Sequence, residues 1–303
     1  MKRVINIFLI AVVALLFVGC GNKYENRAKE WLLSNVNYIN IPDDDNTIYY
    51  IENSPYYSYT QNTYFKDLFK VNLETGEKVA VEQLSCDGVT YRFDGAIIGF
   101  VLPADRGLEQ GTTFAIVTRL VDLNDKFTDD FYYAFAIDAA TQTAKLVNKS
   151  YDTRVYGDMI VSELKDAKYS NQLKGIEVYD LNGEPAAQPR QFKGTIAKQA
   201  VTAEIWISKG EIFGSYYYDK YGPNNRIKLH GELTADNQFK ITGTTSHYFV
   251  NPMGGLRGGD SFEYWIGKLV EGRIEAGFHK YPNDPKLYDF TLTEVLPATE
   301  VVE

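Results

Sequence analysis

Cysteine is almost absent from this chain: among 303 residues only Cys20 and Cys86 carry a thiol. A disulfide framework is excluded, so the fold has to stand on packing. Histidine is nearly as scarce, at positions 230, 247 and 279. All three lie far along the chain from Cys86, which in Ser85-Cys86-Asp87-Gly88 reads as a packed, inert thiol rather than a nucleophile. His230, His247 and His279 could in principle meet as metal ligands, but His230 and His279 fall on the polar phase of expected strands, where solvated residues also belong. No metal site and no cofactor is expected.

Catalytic motifs are missing too. The chain has no Gly-x-Ser-x-Gly elbow, no His-Glu-x-x-His helix and no Gly-x-x-x-x-Gly-Lys-Ser/Thr loop, each of which encodes a specific site geometry. The run Gly254-Gly255-Leu256-Arg257-Gly258-Gly259 has the glycines of a dinucleotide loop but not the strand before it and helix after it that such a loop needs, and it reads as a flexible loop. Asp43-Asp44-Asp45-Asn46 offers hard oxygen donors but lacks the glycine and glutamate of a calcium loop, and reads as a solvated acidic turn. Asp129-Asp130 has the same character, ahead of a strand opening at Phe131-Tyr132. Basic charge is also in deficit, with 31 Lys and Arg against 40 Asp and Glu and a net charge of −9. That excludes nucleic acid as a partner, because binding it requires clustered cations.

What the chain does have begins at its N-terminus. Lys2 and Arg3 precede an apolar run from Ile5 to Val18, broken only by Asn6, and small Gly19 stands before Cys20. The run is shorter than the roughly 20 residues a helix needs to cross a bilayer, so it reads as a removable secretion signal over residues 1–19 rather than a span. Leu16-Phe17-Val18-Gly19-Cys20 resembles the lipobox of bacterial lipoproteins, with Phe17 where that family usually has Leu. The resemblance implies cleavage before a diacylated Cys20, palmitate included. The membrane is then a partner through the lipid, since each buried methylene contributes about 0.8 kcal/mol. Gly21 replaces the Asp that in enterobacterial lipoproteins signals inner-membrane retention, which favours the outer membrane. Cleavage removes Lys2 and Arg3 and no acid, leaving 29 basic and 40 acidic residues, a net charge of −11.

Aromatic content points to β structure. There are 23 Tyr and 17 Phe but only 3 Trp, and such rings suit a pleated, half-buried surface. Only 23–36 has helical spacing, through Tyr24, Arg27, Ala28, Trp31 and Leu32. It is expected to cap the first domain rather than lie on lipid, because Glu25 and Glu30 would face anionic headgroups. From Ile48 to about Gln188 the text alternates as strands. In Phe69 to Val81, Phe69, Val71 and Leu73 point one way, Thr75-Gly76 turns, and alternation resumes at Val79 and Val81. Similar passages at 136–146 and 178–184 have the cadence of propeller blades, but Asn72, Asp138 and Asp180 are not evenly spaced, and an irregular β-sandwich is the better reading.

Pro185 to Pro189 reads as a linker. Beyond it come eight strand-like runs: Phe192–Ile196, Val201–Ile207, Glu211–Tyr218, Arg226–Leu233, Gln238–Thr244, Ser261–Gly267, Arg273–Phe278 and Leu287–Thr293. Short turns separate most of them, as expected of an antiparallel meander that closes into a small barrel or folds as a sandwich. Gly214-x-Tyr216-x-Tyr218, Gly222 and Ile227-x-Leu229-x-Gly231 resemble a β module of uncharacterised Gram-negative envelope proteins. That resemblance implies fold and compartment, not an activity.

The expected organisation is a signal at 1–19, an anchor and short helix at 20–36, an N-terminal β domain at 37–188 and a C-terminal antiparallel β domain at 189–303. The fold class is all-β. Trp206, Tyr216, Tyr217, Tyr218 and Trp265 are the candidate binding residues, because rings exposed on a sheet form platforms for sugars or for a partner's side chains. The competing expectation is that this outer face is covered by the N-terminal domain. Function reads as a non-catalytic binding or interaction lipoprotein of the envelope for glycan or protein. A carboxylate-dependent hydrolase and a structural role without a small ligand are the alternatives.

Overall fold

A computed structural model of the chain describes residues 29–31, 38–41, 44–58, 63–101, 113–167, 172–250, 252–253 and 255–296. The expected secretion signal, Cys20, and residues 23–28 and 32–36 of the expected helix lie outside these residues. Of that helix, 29–31 is described and is helical. Strands make up most of the rest, with one short 3-10 turn at Asp219–Tyr221, and the all-β class holds.

The chain divides into two compact units, residues 1–128 with 136–145, and residues 129–135 with 146–303. The first is built on a sheet of β1 (Tyr38–Ile41), β2 (Asp44–Ser58), β3 (Thr63–Asn72), β7 (Ile97–Val101) and β8 (Thr113–Thr118), whose order continues into β9 (Tyr132–Asp138) and β10 (Thr143–Ser150). Strand β4 (Lys78–Val81) pairs with β3, and β5 (Gln83–Cys86) with β6 (Val89–Arg92) makes a separate hairpin. The hairpin read at Phe69 to Val81 is present in the register Val71↔Lys78 to Leu68↔Val81. Its turn forms because the Asn72 side-chain oxygen accepts the backbone N–H of Glu74 and of Thr75, both at 2.9 Å, and Gly76 takes the left-handed conformation, φ 72°.

Asp138 and Asp180 cap their turns in the same way. The repeated cadence in the sequence is thus a repeated turn chemistry.

The second unit is a closed eight-stranded antiparallel barrel with a small sheet laid on its wall. The barrel strands are β14 (Arg190–Ile196), β15 (Gln199–Ser208), β16 (Glu211–Tyr218), β17 (Ile227–Leu233), β18 (Gln238–Val250), β19 (Leu256–Val270), β20 (Arg273–His279) and β21 (Tyr288–Val295), and β21 pairs back onto β14. Alternate residues fill the inside: Phe192, Val201, Ala203, Ile205, Ile212, Tyr216, Leu229, Phe239, Ile241, Trp265, Ile274 and Leu292 are all buried in one cluster. So narrow a barrel needs glycine where strands crowd. A Cβ on Gly214 would stand 2.0 Å from the Glu204 carbonyl oxygen.

Two boundaries differ from the expectation. The three-stranded sheet β11 (Asp152–Tyr156), β12 (Met159–Leu164) and β13 (Gly175–Tyr179) belongs with the barrel, so Pro185 to Pro189 lies inside the second unit instead of separating two domains. The hairpin β18–β19 is also longer than the runs read from 238–244 and 261–267. Gly258 and Gly259 are strand residues paired with Tyr248 and His247, so that part of the glycine run is not a loop. Glycine lowers the strand signal without preventing pairing.

Candidate functional site

The small sheet lies with one face on the outer wall of the barrel. Val161 and Val178 pack on Phe213 of β16, with Tyr156, Met159, Ile176, Ala186 and Trp206 around them. The β11–β12 turn is fastened by the Ser208 hydroxyl, which donates to the Asp158 carboxylate and accepts the Asp158 backbone N–H at 3.2 Å. Trp206 stacks nearly parallel on Phe213, with centroids 6.1 Å apart, and donates its indole N–H to the Ala187 carbonyl at 2.8 Å. This outer-face ring is therefore partly covered by the unit's own chain.

Beyond that apolar patch the same interface turns ionic. Asp152 and Glu163 are cross-strand partners on β11 and β12. Glu163 pairs with Lys165 beside it and with Lys228 on the barrel wall. Asp152 binds Arg154 Nε at 3.2 Å and lies 3.8 Å from Lys165. Burial works against the charge of Asp152, but Lys228, Arg154 and Lys165 outweigh it and draw its pKa below the ordinary aspartate value. Burial likewise works against Lys228, yet Glu163 and Asp152 hold its pKa above that of a free lysine. Both groups are thus ionised at neutral pH.

Register places the remaining groups. Lys228, Thr244 and Phe262 stand opposite one another across β17, β18 and β19, and Ser246 faces Asp260 one step further along. With Asp152, Arg154, Glu163, Lys165, Arg226 and neighbours they line a cleft of about 230 Å³. Arg226 is clamped by Glu204 at 2.5 Å and Ser215 at 3.0 Å, with its guanidinium over the Tyr217 ring. Its Nε–H is buried without a partner. At the rim the Ser246 hydroxyl donates to Asp260 at 2.8 Å, and Phe262 is 52% exposed.

The five aromatic candidates are dispersed. Tyr217 faces outward beside this cleft and Trp206 beside the small sheet. Tyr216 and Trp265 are fully buried inside the barrel, 4.9 Å apart between ring centroids, so neither presents a ring to solvent. Tyr218 packs against the same core, half-buried.

The phase of β19 misleads in sequence because its inward row, Glu263, Trp265 and Gly267, looks polar. Inside the barrel the Tyr216 hydroxyl donates to Glu263 at 2.6 Å. Burial raises the Glu263 pKa, only partly offset by Tyr216 and Trp265. The Trp265 N–H lies near enough to favour the charged carboxylate but makes no well-aligned hydrogen bond.

The other candidates have structural surroundings. His230 pairs with Glu211 at 2.7 Å and stacks on Tyr156, His279 meets the Asp284 carbonyl at 2.9 Å, and His247 is exposed on β18. Among the described residues no three His, Cys, Asp or Glu side chains are placed to hold a metal ion. Cys86 is buried, with its sulfur 3.9 Å from an Asp87 carboxylate oxygen. Asp129 accepts from Tyr133 and the Phe131 backbone and pairs with Lys149. Asp44 opens β2 and accepts the Asn46 N–H, while Asp43 lies outside the described residues. The ionic cleft itself escaped sequence reading: Lys228 occupies the polar phase of its strand, but Glu163 shares its row with apolar Met159 and Val161.

No family model matches the chain, and no curated protein matches it. Distantly similar solved structures include two from Pyrococcus. The β-propeller domain of the Trilobed protease from Pyrococcus furiosus shares 9% identity over 86% of this chain and 83% of that one, with a TM-score of 0.27. The acylaminoacyl peptidase of Pyrococcus horikoshii shares 11% over 82% of this chain and 44% of that one, with a TM-score of 0.25. Likeness this slight carries no argument about fold or activity.

Proposed function

We propose that the protein is a lipid-anchored lipoprotein of the cell envelope, held in the outer membrane through acylated Cys20, whose barrel unit is a non-catalytic binding module for a glycan. The anchor reading rests on the order of residues 1–20. Among the described residues no helix is long and apolar enough to cross a membrane. The binding reading rests on one observation: the cleft on the barrel wall gathers charged groups, the hydroxyls of Thr244 and Ser246, and an exposed aromatic face at Phe262. Convergent polar groups beside an apolar surface are what a polyhydroxylated ligand requires. A protein partner would instead use a broader patch with aromatic or arginine anchors at its core.

The hydrolase alternative would rest on Glu263, whose raised pKa is the property of a general acid. Glycoside cleavage takes a second carboxylate across the scissile bond, and the groups acting on Glu263 are Tyr216 and Trp265. In the cleft Asp152 is held ionised, unsuited to donating a proton. The test is a glycan array probed with the full-length protein in detergent. Binding that Phe262→Ala weakens supports the reading, and an array without any bound glycan contradicts it.

A further inference from the structure

The charges of the cleft are not evenly distributed. Its floor holds Arg154, Lys165 and Lys228 against Asp152 and Glu163, three cations to two carboxylates. Each cation shares a carboxylate, and the count leaves an excess of one positive charge where Lys165 and Lys228 are only 13% and 21% exposed. Arg226 is neutralised by Glu204 and keeps a buried N–H without an acceptor. The negative group is at the opening, where Asp260 accepts from Ser246. A charge withdrawn from water and left unmatched is unfavourable, so an anionic group reaching the floor gains both the Coulomb attraction and charge-assisted hydrogen bonds.

Resting on the glycan-binding reading above, we infer that the cleft takes an acidic saccharide, a sugar residue whose carboxylate reaches Lys165, Lys228 and Arg154. Its hydroxyls face Thr244, Ser246 and the accepting oxygens of Asp260, and the apolar face of its ring lies on Phe262. The volume of about 230 Å³ is below the roughly 300–1,000 Å³ of pockets that enclose whole drug-sized ligands. One residue therefore enters and the rest of the glycan lies across the rim. A polarity of positive floor and hydroxyl-lined rim distinguishes this ligand from a neutral sugar, which leaves the floor unmatched.

The test titrates full-length protein in detergent with a panel of uronate-, sialate- and lactyl-bearing oligosaccharides, each beside its carboxyl-reduced, neutral counterpart. At least one acidic member is expected to bind tenfold or more tightly than its reduced form, with affinity that falls as salt rises. Lys165→Gln should weaken it about tenfold. Because Lys165→Gln also disturbs the floor pairs, Phe262→Ala at an exposed position serves as the second variant and should weaken acidic and reduced forms alike. Equal affinity for acidic and reduced forms overturns the inference and leaves glycan binding standing, whereas no binding in either set overturns both. Acidic binding indifferent to both variants places the ligand elsewhere and overturns the assignment of this cleft.

Discussion

Lys228 on the barrel wall and Glu163 on the small sheet form an ion pair with 21% and 5% of their side chains exposed. So sheltered a pair holds the sheet on the barrel through mutual dependence, since each charge is costly without the other. Glu163→Ala should lower stability by about 3–5 kcal/mol, read from urea unfolding followed by Trp206 fluorescence. A double change of Glu163→Leu with Lys228→Met should recover much of that loss. A cost below about 1 kcal/mol for Glu163→Ala, the magnitude of an exposed pair, would contradict the buried geometry.

The same cluster sets a pH dependence at both ends of the scale. Asp152 has a lowered pKa in the folded chain, so its contribution is present above the unfolded value of about 3.9 and disappears as pH falls through the folded value. Lys228 has a raised pKa, so its contribution is complete below about 10.4 and disappears as pH rises through the folded value. Thermal unfolding across pH should show a plateau between these limits, and Asp152→Asn should flatten the acid limb. An acid limb as steep in the variant as in the parent would contradict the pairing.

Glu263 acts in the opposite sense. Burial raises its pKa, so between the unfolded value near 4.3 and the folded one the native state keeps a proton the unfolded chain releases, and stability falls as pH rises. Glu263→Gln removes that penalty. The variant should match the parent at pH 4 and exceed it in melting temperature by pH 7. Tyr216→Phe, which leaves the carboxyl without its 2.6 Å donor, should cost about 1–3 kcal/mol.

Gly243 stands directly across from Glu263, and a Cβ there would meet its Cγ at 2.7 Å and Oε1 at 2.8 Å. Glycine is the residue that leaves room for this inward glutamate. Gly243→Ala should destabilise the barrel in the parent and much less beside Glu263→Ala. A double-mutant cycle by denaturant unfolding measures the coupling, and strictly additive effects would show that the alanine methyl and the glutamate do not compete.

How legible this molecule is in its sequence varies along the chain. All eight barrel strands can be read from 192–293, because alternation such as Val201, Ala203, Ile205, Ile207 and turns such as Asp236-Asn237 are local signals. The inward placement of Trp265 cannot be read locally, because Glu263 beside it in the same row mimics a wet face. The ownership of β11, β12 and β13 is hidden for another reason: their partner surface is Phe213 and Lys228, dozens of residues away. The cleft is illegible for the same cause, since Asp152, Glu163 and Lys228 meet only through closure of the barrel and docking of the sheet.

The most direct test of an envelope lipoprotein is metabolic labelling with a radioactive or clickable palmitate in cells producing the full-length chain. Label should appear on the parent protein in the membrane fraction and vanish with Cys20→Ser. A parent chain without label, or equal label on both, would contradict the anchor on which the assignment to the envelope depends.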